Sequence, residues 1–429
     1  MKSCRSRSLR PLGLGAGLLA VSLTLAACGG GAEPSGPATA TTPAEADAAT
    51  AEPAAATATE GQCGSVPEIA PEDPDGVLAA LPAELQASYN GFPQPILASP
   101  WADWAPEGDG PWDVAILWQP TMNTFTTNVH DGLTEALEAS GNVNVVADLA
   151  PKDPTDVPGQ LQQFNQAVAQ DPDLIILMPL AAEPFIEPVE AAAAAGIPTV
   201  TPWLPVPTSG AIGISQNDWL AAAKISASVA TSIDGEGTAL MVHGIPGISS
   251  DNNAFAAFDA VLGLCPGIEQ AGEVTGNFST AAAQGAVIQF LSTHPGEVDA
   301  VFQAGVMTPG IIQAFEQLGR PVPAIADLGS TQGSIAYAHE NQDTYQEFGG
   351  SVPDFEIGRV AAEVALRTLA GDGPKLTPIL TELKPIDNTN IDDVYQEGWT
   401  VNSSGDAWFP DDTFMEPEVL DQFFTGTAR

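Results

Sequence analysis

This sequence predicts an α/β protein of two doubly wound, parallel-sheet lobes. Between residues 112 and 383, short apolar runs of strand length alternate with segments of helical spacing. The alternation passes through two consecutive sets, and strands buried on both faces in that rhythm belong to parallel sheets covered by helices. Size and hydropathy agree. A chain of 429 residues, 44% hydrophobic, can bury two cores, and its mean hydropathy of +0.06 excludes a multi-span membrane protein.

Taken in order, the chain opens with Lys2, Arg5, Arg7 and Arg10, followed by an apolar run over residues 13–27. That run has signal-peptide length and falls short of the roughly 20 apolar residues of a secure membrane span. It ends in Leu25-Ala26-Ala27-Cys28-Gly29, which resembles a bacterial lipobox. The resemblance implies that residues 1–28 are a lipoprotein signal peptide and that Cys28 is acylated, with diacylglycerol on its thiol and palmitate as the typical fatty acid. The mature protein is then expected on the extracytoplasmic face of the cell membrane, held there by its lipid. Residues 29–62, mostly Gly, Ala, Thr, Pro, Ser and Glu, cannot build a core and read as a flexible tether. Residues 63–110 form a Pro-rich N-terminal extension. It has one expected helix near Val77–Tyr89, and its aromatics (Tyr89, Phe92, Trp101, Trp104) would staple it to the body.

The regular body starts at Trp112. Strands are expected at Val114–Trp118, Val143–Ala147, Leu174–Met178, Pro198–Thr201 and Ile212–Ser215. Helices between and after them are expected at Thr124–Ala139, Val157–Ala169, Pro184–Ala195 and Asp218–Ile233. A second set follows, with strands Ala239–His243, Gln270–Thr275, Ala300–Phe302 and Ala324–Ala326, and helices Asn253–Leu264, Ala281–Thr293 and Gly310–Leu318. Helix Asp354–Ala370 and strand Ile379–Leu383 complete it. The expected division is residues 111–216 with 351–378 for the first lobe, 217–350 with 379–384 for the second, and a C-terminal extension over 385–429. Ligands of such sheets bind beyond the carboxyl ends of the strands, so two facing lobes make a cleft.

Charge narrows the partners. Formal net charge is -42, from 54 acidic and 12 basic residues. Four of the basic ones lie in the first ten positions, leaving eight for the mature chain. Nucleic acid and anionic lipid surfaces both need clustered Lys and Arg, so neither is an expected partner. The four cysteines (4, 28, 63, 265) and four histidines (130, 243, 294, 339) show no zinc-type spacing, and no metal or cofactor is expected. Cys63 and Cys265 are the thiols left after export to an oxidising compartment, and a disulfide between them is expected to tie the N-terminal extension to the body. There is no GxSxG, HExxH or P-loop, so no enzyme is expected.

The body carries a family resemblance. "DVAILWQPTMNTFTTNVHDGLTEALEASG" followed by "DPDLIILMPLAAEPFIEPVEAAAAAGIPTVT" is similar to the sugar-type periplasmic binding proteins related to the ribose-binding protein. "GIPGISSDNNAFAAF", "HPGEVDAVFQAGVMTPGIIQAFEQLG" and "VPDFEIGRVAAEVALRTLAG" follow in the family's order. The resemblance covers roughly residues 111–384. It implies a type I binding-protein fold with a three-strand hinge. It also implies a monomeric receptor that hands a small-molecule ligand to ABC permease subunits. Lactose-repressor-type regulators share the fold, but they carry a basic helix-turn-helix where this chain has a lipobox and an acidic tether.

The resemblance also places ligand-site positions. The family's Asn-Pro-Phe falls on Asn123-Thr124-Phe125, which keeps the amide and the ring. Its Asn after the third strand falls on Met178, and its hydroxyl-gripping Asp-Arg pair falls on Trp203 and Leu204. Its second-lobe Arg falls near Asn252, its Asn-Asp pair on Gly305 and Val306 with Met307 next, and its last Asp near Leu328, beside Asp327. Trp118 and Gln119 end the first strand at the same mouth. Most charged sugar contacts are thus replaced by apolar side chains. An unmet buried hydroxyl costs about 1–3 kcal/mol, so the expected ligand has an apolar or aromatic face, oriented by Asn123, Gln119 and Asn252. A sugar receptor of the same fold, or a sensor signalling to a membrane receptor, are the alternatives that remain open.

Overall fold

The computed structural model describes residues 62–120 and 124–426. Cys28 and the signal peptide, all of the tether except Gln62, and Asn123 lie outside the described residues.

The N-terminal extension contains a single 3-10 turn, Val77–Ala80, and a short helix α1 (Ala83–Ala87) rather than one helix over Val77–Tyr89. Pro82 explains the break. It offers no backbone N–H and forces the preceding residue out of the helical region, and Leu81 is extended at φ -89°, ψ 154°. Strand β1 (Leu97–Ala98) follows. Tyr89 is fully buried and its hydroxyl donates to the Pro378 carbonyl at 2.7 Å.

The first lobe starts with β2 (Trp112–Leu117), α2 (Thr124–Ser140), β3 (Val143–Leu149), α3 (Val157–Val168) and β4 (Leu174–Leu177). A 3-10 turn over Glu183–Phe185 leads into α4 (Ile186–Ala194), then β5 (Thr199–Pro202) and β6 (Ala211–Gln216). The chain then crosses to the second lobe through α5 (Asp218–Ser232), whose N-cap Asn217 accepts from the Leu220 N–H. The second lobe comprises β7 (Glu236–His243), α6 (Ser249–Leu262), β8 (Gly267–Thr275), α7 (Thr280–Thr293), β9 (Ala300–Gln303), α8 (Thr308–Gln317), β10 (Ala324–Asp327), α9 (Gln332–Glu340) and β11 (Gly349–Ser351). The chain returns with α10 (Asp354–Leu369), which packs on α2 in the first lobe. After it come β12 (Leu376–Thr377), antiparallel to β1, then β13 (Ile379–Thr381) and β14 (Lys384–Ile386).

The first sheet runs β13-β6-β5-β4-β2-β3, all parallel. The second runs β14-β11-β10-β9-β7-β8, parallel except for β14. Residues 379–384 divide differently from the expectation. Ile379 pairs with Ile214, so β13 belongs to the first lobe, and only β14 enters the second. Both Ile379 and Leu380 are fully buried there, which a place on the first sheet's edge provides. Three passes thus connect the lobes, after β6, after β11 and after β13. This is the type I periplasmic-binding-protein architecture.

Helices α2 and α10 approach more closely than side chains allow. A Cβ on Gly132 would lie 2.0 Å from the Phe355 carbonyl oxygen, and one on Gly358 would lie 2.0 Å from that of Val129. The two glycines set the N-termini of both helices side by side at the cleft.

Both extensions span both lobes. Cys63 is bonded to Cys265 just after α6, Sγ–Sγ 2.05 Å, while Leu81, Phe92, Ile96 and Trp101 bury into the first lobe's core. The C-terminal extension first packs α11 (Ile391–Val394) against Ile335 and Ala338 of α9 in the second lobe. It then runs along the second lobe, where Gln332 N–H donates to Gly405 O at 2.9 Å and Ala407 N–H to Ser330 O at 2.8 Å. It ends with Phe414, Met415, Leu420 of α12 (Pro417–Leu420), Phe423 and Phe424 in the first lobe's core. Arg367 fixes that end, with Asp372 at 2.8 Å, Asp421 at 2.6 Å and its guanidinium 3.8 Å from the Phe424 ring centre.

Candidate functional site

A cavity of about 130 Å³ lies between the lobes at the carboxyl ends of the strands. That is below the roughly 300–1,000 Å³ of drug-sized sites, so it suits a small solute. The first lobe contributes Thr124 and Phe125 from the start of α2. The second contributes Phe278 and Thr280 before and within α7, Val306 and Pro309 around the start of α8, and Thr331, the N-cap of α9. The remaining wall is Ser403, Ser404, Gly405 and Asp406 of the C-terminal extension. One aromatic ring therefore faces the cavity from each lobe, among several hydroxyls and one carboxylate.

The backbone around this cavity is strained. Phe278 has φ 49°, Val306 φ 52° and Trp203, behind Phe125, φ 66°. Positive φ is costly for any L-residue with a bulky side chain, and most of all for β-branched Val306. Each is held by its surroundings. The Phe278 ring fills the space beside Gly244, where a Cβ would sit 2.1 Å from the ring. Val306 N–H donates to Leu328 O at 3.2 Å. Trp203 N–H donates to Ile214 O at 2.7 Å, its carbonyl accepts from Ser215 Oγ at 2.8 Å, and its ring meets Phe125 edge-on at 5.0 Å. Three bulky residues in the left-handed region thus lie at or directly behind one cavity.

A carboxyl pair closes the first-lobe side. Asp406 Oδ2 accepts from Thr124 Oγ1 at 3.1 Å, and Asp354, at the start of α10, accepts from Asn128 Nδ2 at 2.8 Å. Burial, then the facing Asp406 carboxyl, pushes Asp354 up to about 7. Burial raises Asp406 as well.

The positions expected from the sequence separate into two groups. Phe125 lines the cavity, Trp203 backs it and Leu328 lies half-buried beside Val306. Leu204, half-buried, is the next residue after Trp203. Gly305 is buried next to Val306, close under the Phe278 ring, so the cavity wall at that turn is Val306. Several other expected contacts point elsewhere. Trp118 is buried against α2, its indole N–H donating to Thr126 O at 2.9 Å. Gln119 donates to Pro179 O at 2.7 Å. Met178 and Met307 are packed in the lobe cores, 1% and 0% exposed. Asn252 is exposed and caps the Gly247 N–H at 3.3 Å, while its neighbour Asp251 turns inward to Gly244 N–H and His243 Nδ1. Asp327 is fully buried, accepting from Thr308 Oγ1 at 2.7 Å and Gln303 Nε2 at 3.1 Å. Burial raises it and the adjacent Glu347, so this pair is an internal network of the second lobe. Among the described residues no group of His, Cys, Asp or Glu is arranged to hold a metal, and no helix is long and apolar enough to cross a membrane.

The sequence reading missed Phe278, Thr280, Thr331 and the 403–406 segment. Asn277-Phe278 before a helix and the Thr331–Ser334 capping box were available local signals. Nothing in the composition of residues 385–429 indicates that they return to the cleft.

Comparison with known proteins fixes the class. Residues 114–373 match the periplasmic binding protein domain family, and the chain belongs to that family. Its members are binding proteins and not enzymes, and this chain is one of them. A xylitol-binding protein from Mycolicibacterium smegmatis is 23% identical over 273 residues, covering 63% of this chain and 76% of that protein. An ABC transporter solute-binding protein from Bacillus halodurans with bound myo-inositol superposes with TM-score 0.59 at 16% identity, over 67% of this chain and 98% of that one. A 5-methylthioribose transporter solute-binding protein from Thermotoga lettingae, in complex with 5-methylthioribose, gives TM-score 0.57 at 19% identity, over 68% and 90%.

Proposed function

We propose that this protein is the extracytoplasmic receptor of an ABC importer. It is anchored through lipidated Cys28 and captures a small solute in the interlobe cavity with the solute's apolar face against Phe125 and Phe278. The observation that carries the reading is the cavity itself, with one ring supplied by each lobe. A solute touching both rings joins the lobes, which is what a receptor read by a permease needs. The solute-binding proteins of ABC transporters that share this fold support the importer context. Burying an apolar face yields about 25 cal/mol per Å², and an aromatic platform adds about 0.5–1.5 kcal/mol.

A screen of small solutes by thermal shift, followed by calorimetry, tests it. The best solute is expected to lose about tenfold or more in affinity in Phe125→Ala and in Phe278→Ala. Unchanged affinity in both variants would sink the pocket assignment.

A further inference from the structure

The C-terminal extension lies outside the residues that match the family, which end at 373. It nevertheless forms one wall of the cavity. Its 403–406 segment is fixed to the second lobe by main-chain bonds on both sides, Gln332 N–H to Gly405 O and Ala407 N–H to Ser330 O. On the other side Asp406 reaches the first lobe, at Thr124 and Asp354. Beyond the crossing, the chain anchors in the first lobe's core through Phe414 and Phe424. The segment is therefore a strap over the cavity, secured at both ends. Asp406 is buried at its C-terminal end, and Ser404 of the strap and Thr280 of the second lobe are exposed.

We propose that residues 403–406 are part of the ligand site, presenting Ser404 and Asp406 to the hydroxyls of a small polyhydroxylated solute whose apolar face lies on the two phenylalanines. The chemistry follows from what the rest of the cavity lacks. Among the described residues the cavity wall carries no charged side chain apart from Asp406, and its other polar side chains are the hydroxyls of Thr124, Thr280, Thr331, Ser403 and Ser404. A dehydrated hydroxyl still needs a partner, and a carboxylate is among the strongest acceptors available. The strap places one there, next to the hydroxyls of Thr124 and Thr331. Entry of the solute then requires the Thr124–Asp406 contact to part, and the solute replaces it.

This inference rests on the receptor reading, and calorimetry on the mature protein separates the two. The probes are xylitol, myo-inositol and 5-methylthioribose, with benzoate and toluene as aromatic solutes lacking hydroxyls. At least one polyhydroxylated probe is expected to bind. Asp406→Asn should weaken that probe about tenfold, and Ser404→Ala about threefold to tenfold. Ser404 is exposed, so its variant keeps the test alive if Asp406→Asn perturbs folding. Equal or tighter binding in both variants overturns the strap as a ligand wall, and leaves the receptor standing if Phe278→Ala still weakens binding about tenfold or more. Binding of the aromatic probes alone overturns the polyhydroxylated class by the same logic.

Discussion

At the scale of single residues, the carboxyl pair of Asp354 and Asp406 is a pH-sensitive feature beside the cavity. Asp354 rises from an ordinary 3.8 to about 7 because burial, and then the second carboxyl, disfavour its charge. A raised acid is protonated in the folded state when it would already be ionised in the unfolded one. Its stabilising contribution is thus fully present below about 3.8 and is lost as the pH climbs through about 7. Asp354→Asn removes the ionisation and keeps the shape. We expect that variant to unfold roughly 2–4 °C above the wild type at pH 8, with the difference gone at pH 4. Thermal melts at both pH values check it, and comparing variant with wild type cancels the general repulsion of a chain with net charge -42. The same scale shows what a sequence can reveal of a site. Phe125 was legible because it begins a helix at a position the family uses. Phe278 was not, since its place depends on left-handed turns at Asn277 and Phe278 that neither residue type demands. Trp118 and Met178 illustrate the opposite error. Apolar side chains at strand ends are equally suited to a cleft or a core, and here the core takes them.

Among elements, the decisive contact is α2 against α10. It joins α2 to Asp354 through Asn128, and α2 in turn presents Thr124 and Phe125 as the first-lobe half of the site. The contact depends on Gly132 and Gly358, each facing a carbonyl oxygen at a distance no Cβ tolerates. Gly358→Ala forces the helices apart. It should cost about 1–3 kcal/mol in urea unfolding and weaken solute binding in parallel. Loss of stability with unchanged affinity would show that the helix pair does not position the site. Most elements were legible because buried strands such as β4, Leu174–Leu177, are continuous apolar runs. Two were not. Strand β11 is Gly349-Gly350-Ser351, without a side chain that favours a strand, and it exists because it sits between β10 and β14. Helix α9 has a hydrophobic stripe too weak to announce itself beside Tyr337 and His339, and its capping box is the clearer signal.

For the whole molecule, the two lobes follow the family and the two extensions depart from it. The N-terminal extension is bonded to the second lobe at Cys265 and buried in the first through its aromatics. The C-terminal extension packs on the second lobe, crosses the cavity and ends in the first. Two belts of this kind tie the lobes together, and the second runs past the cavity. Their paths could not be read from composition, because Pro-, Gly- and Asp-rich segments acquire their place only from the surfaces they cover. In the proposed complex the solute sits between Phe125 and Phe278 under this strap. A crystal structure of the mature protein with the best solute from the thermal-shift screen tests it most directly. The solute is expected between the two rings, with its hydroxyls toward Ser404 and Asp406. A solute bound instead in the open groove between the N-terminal extension and α5, near Lys224, Ser228 and Phe348, with the interlobe cavity unchanged, would contradict it.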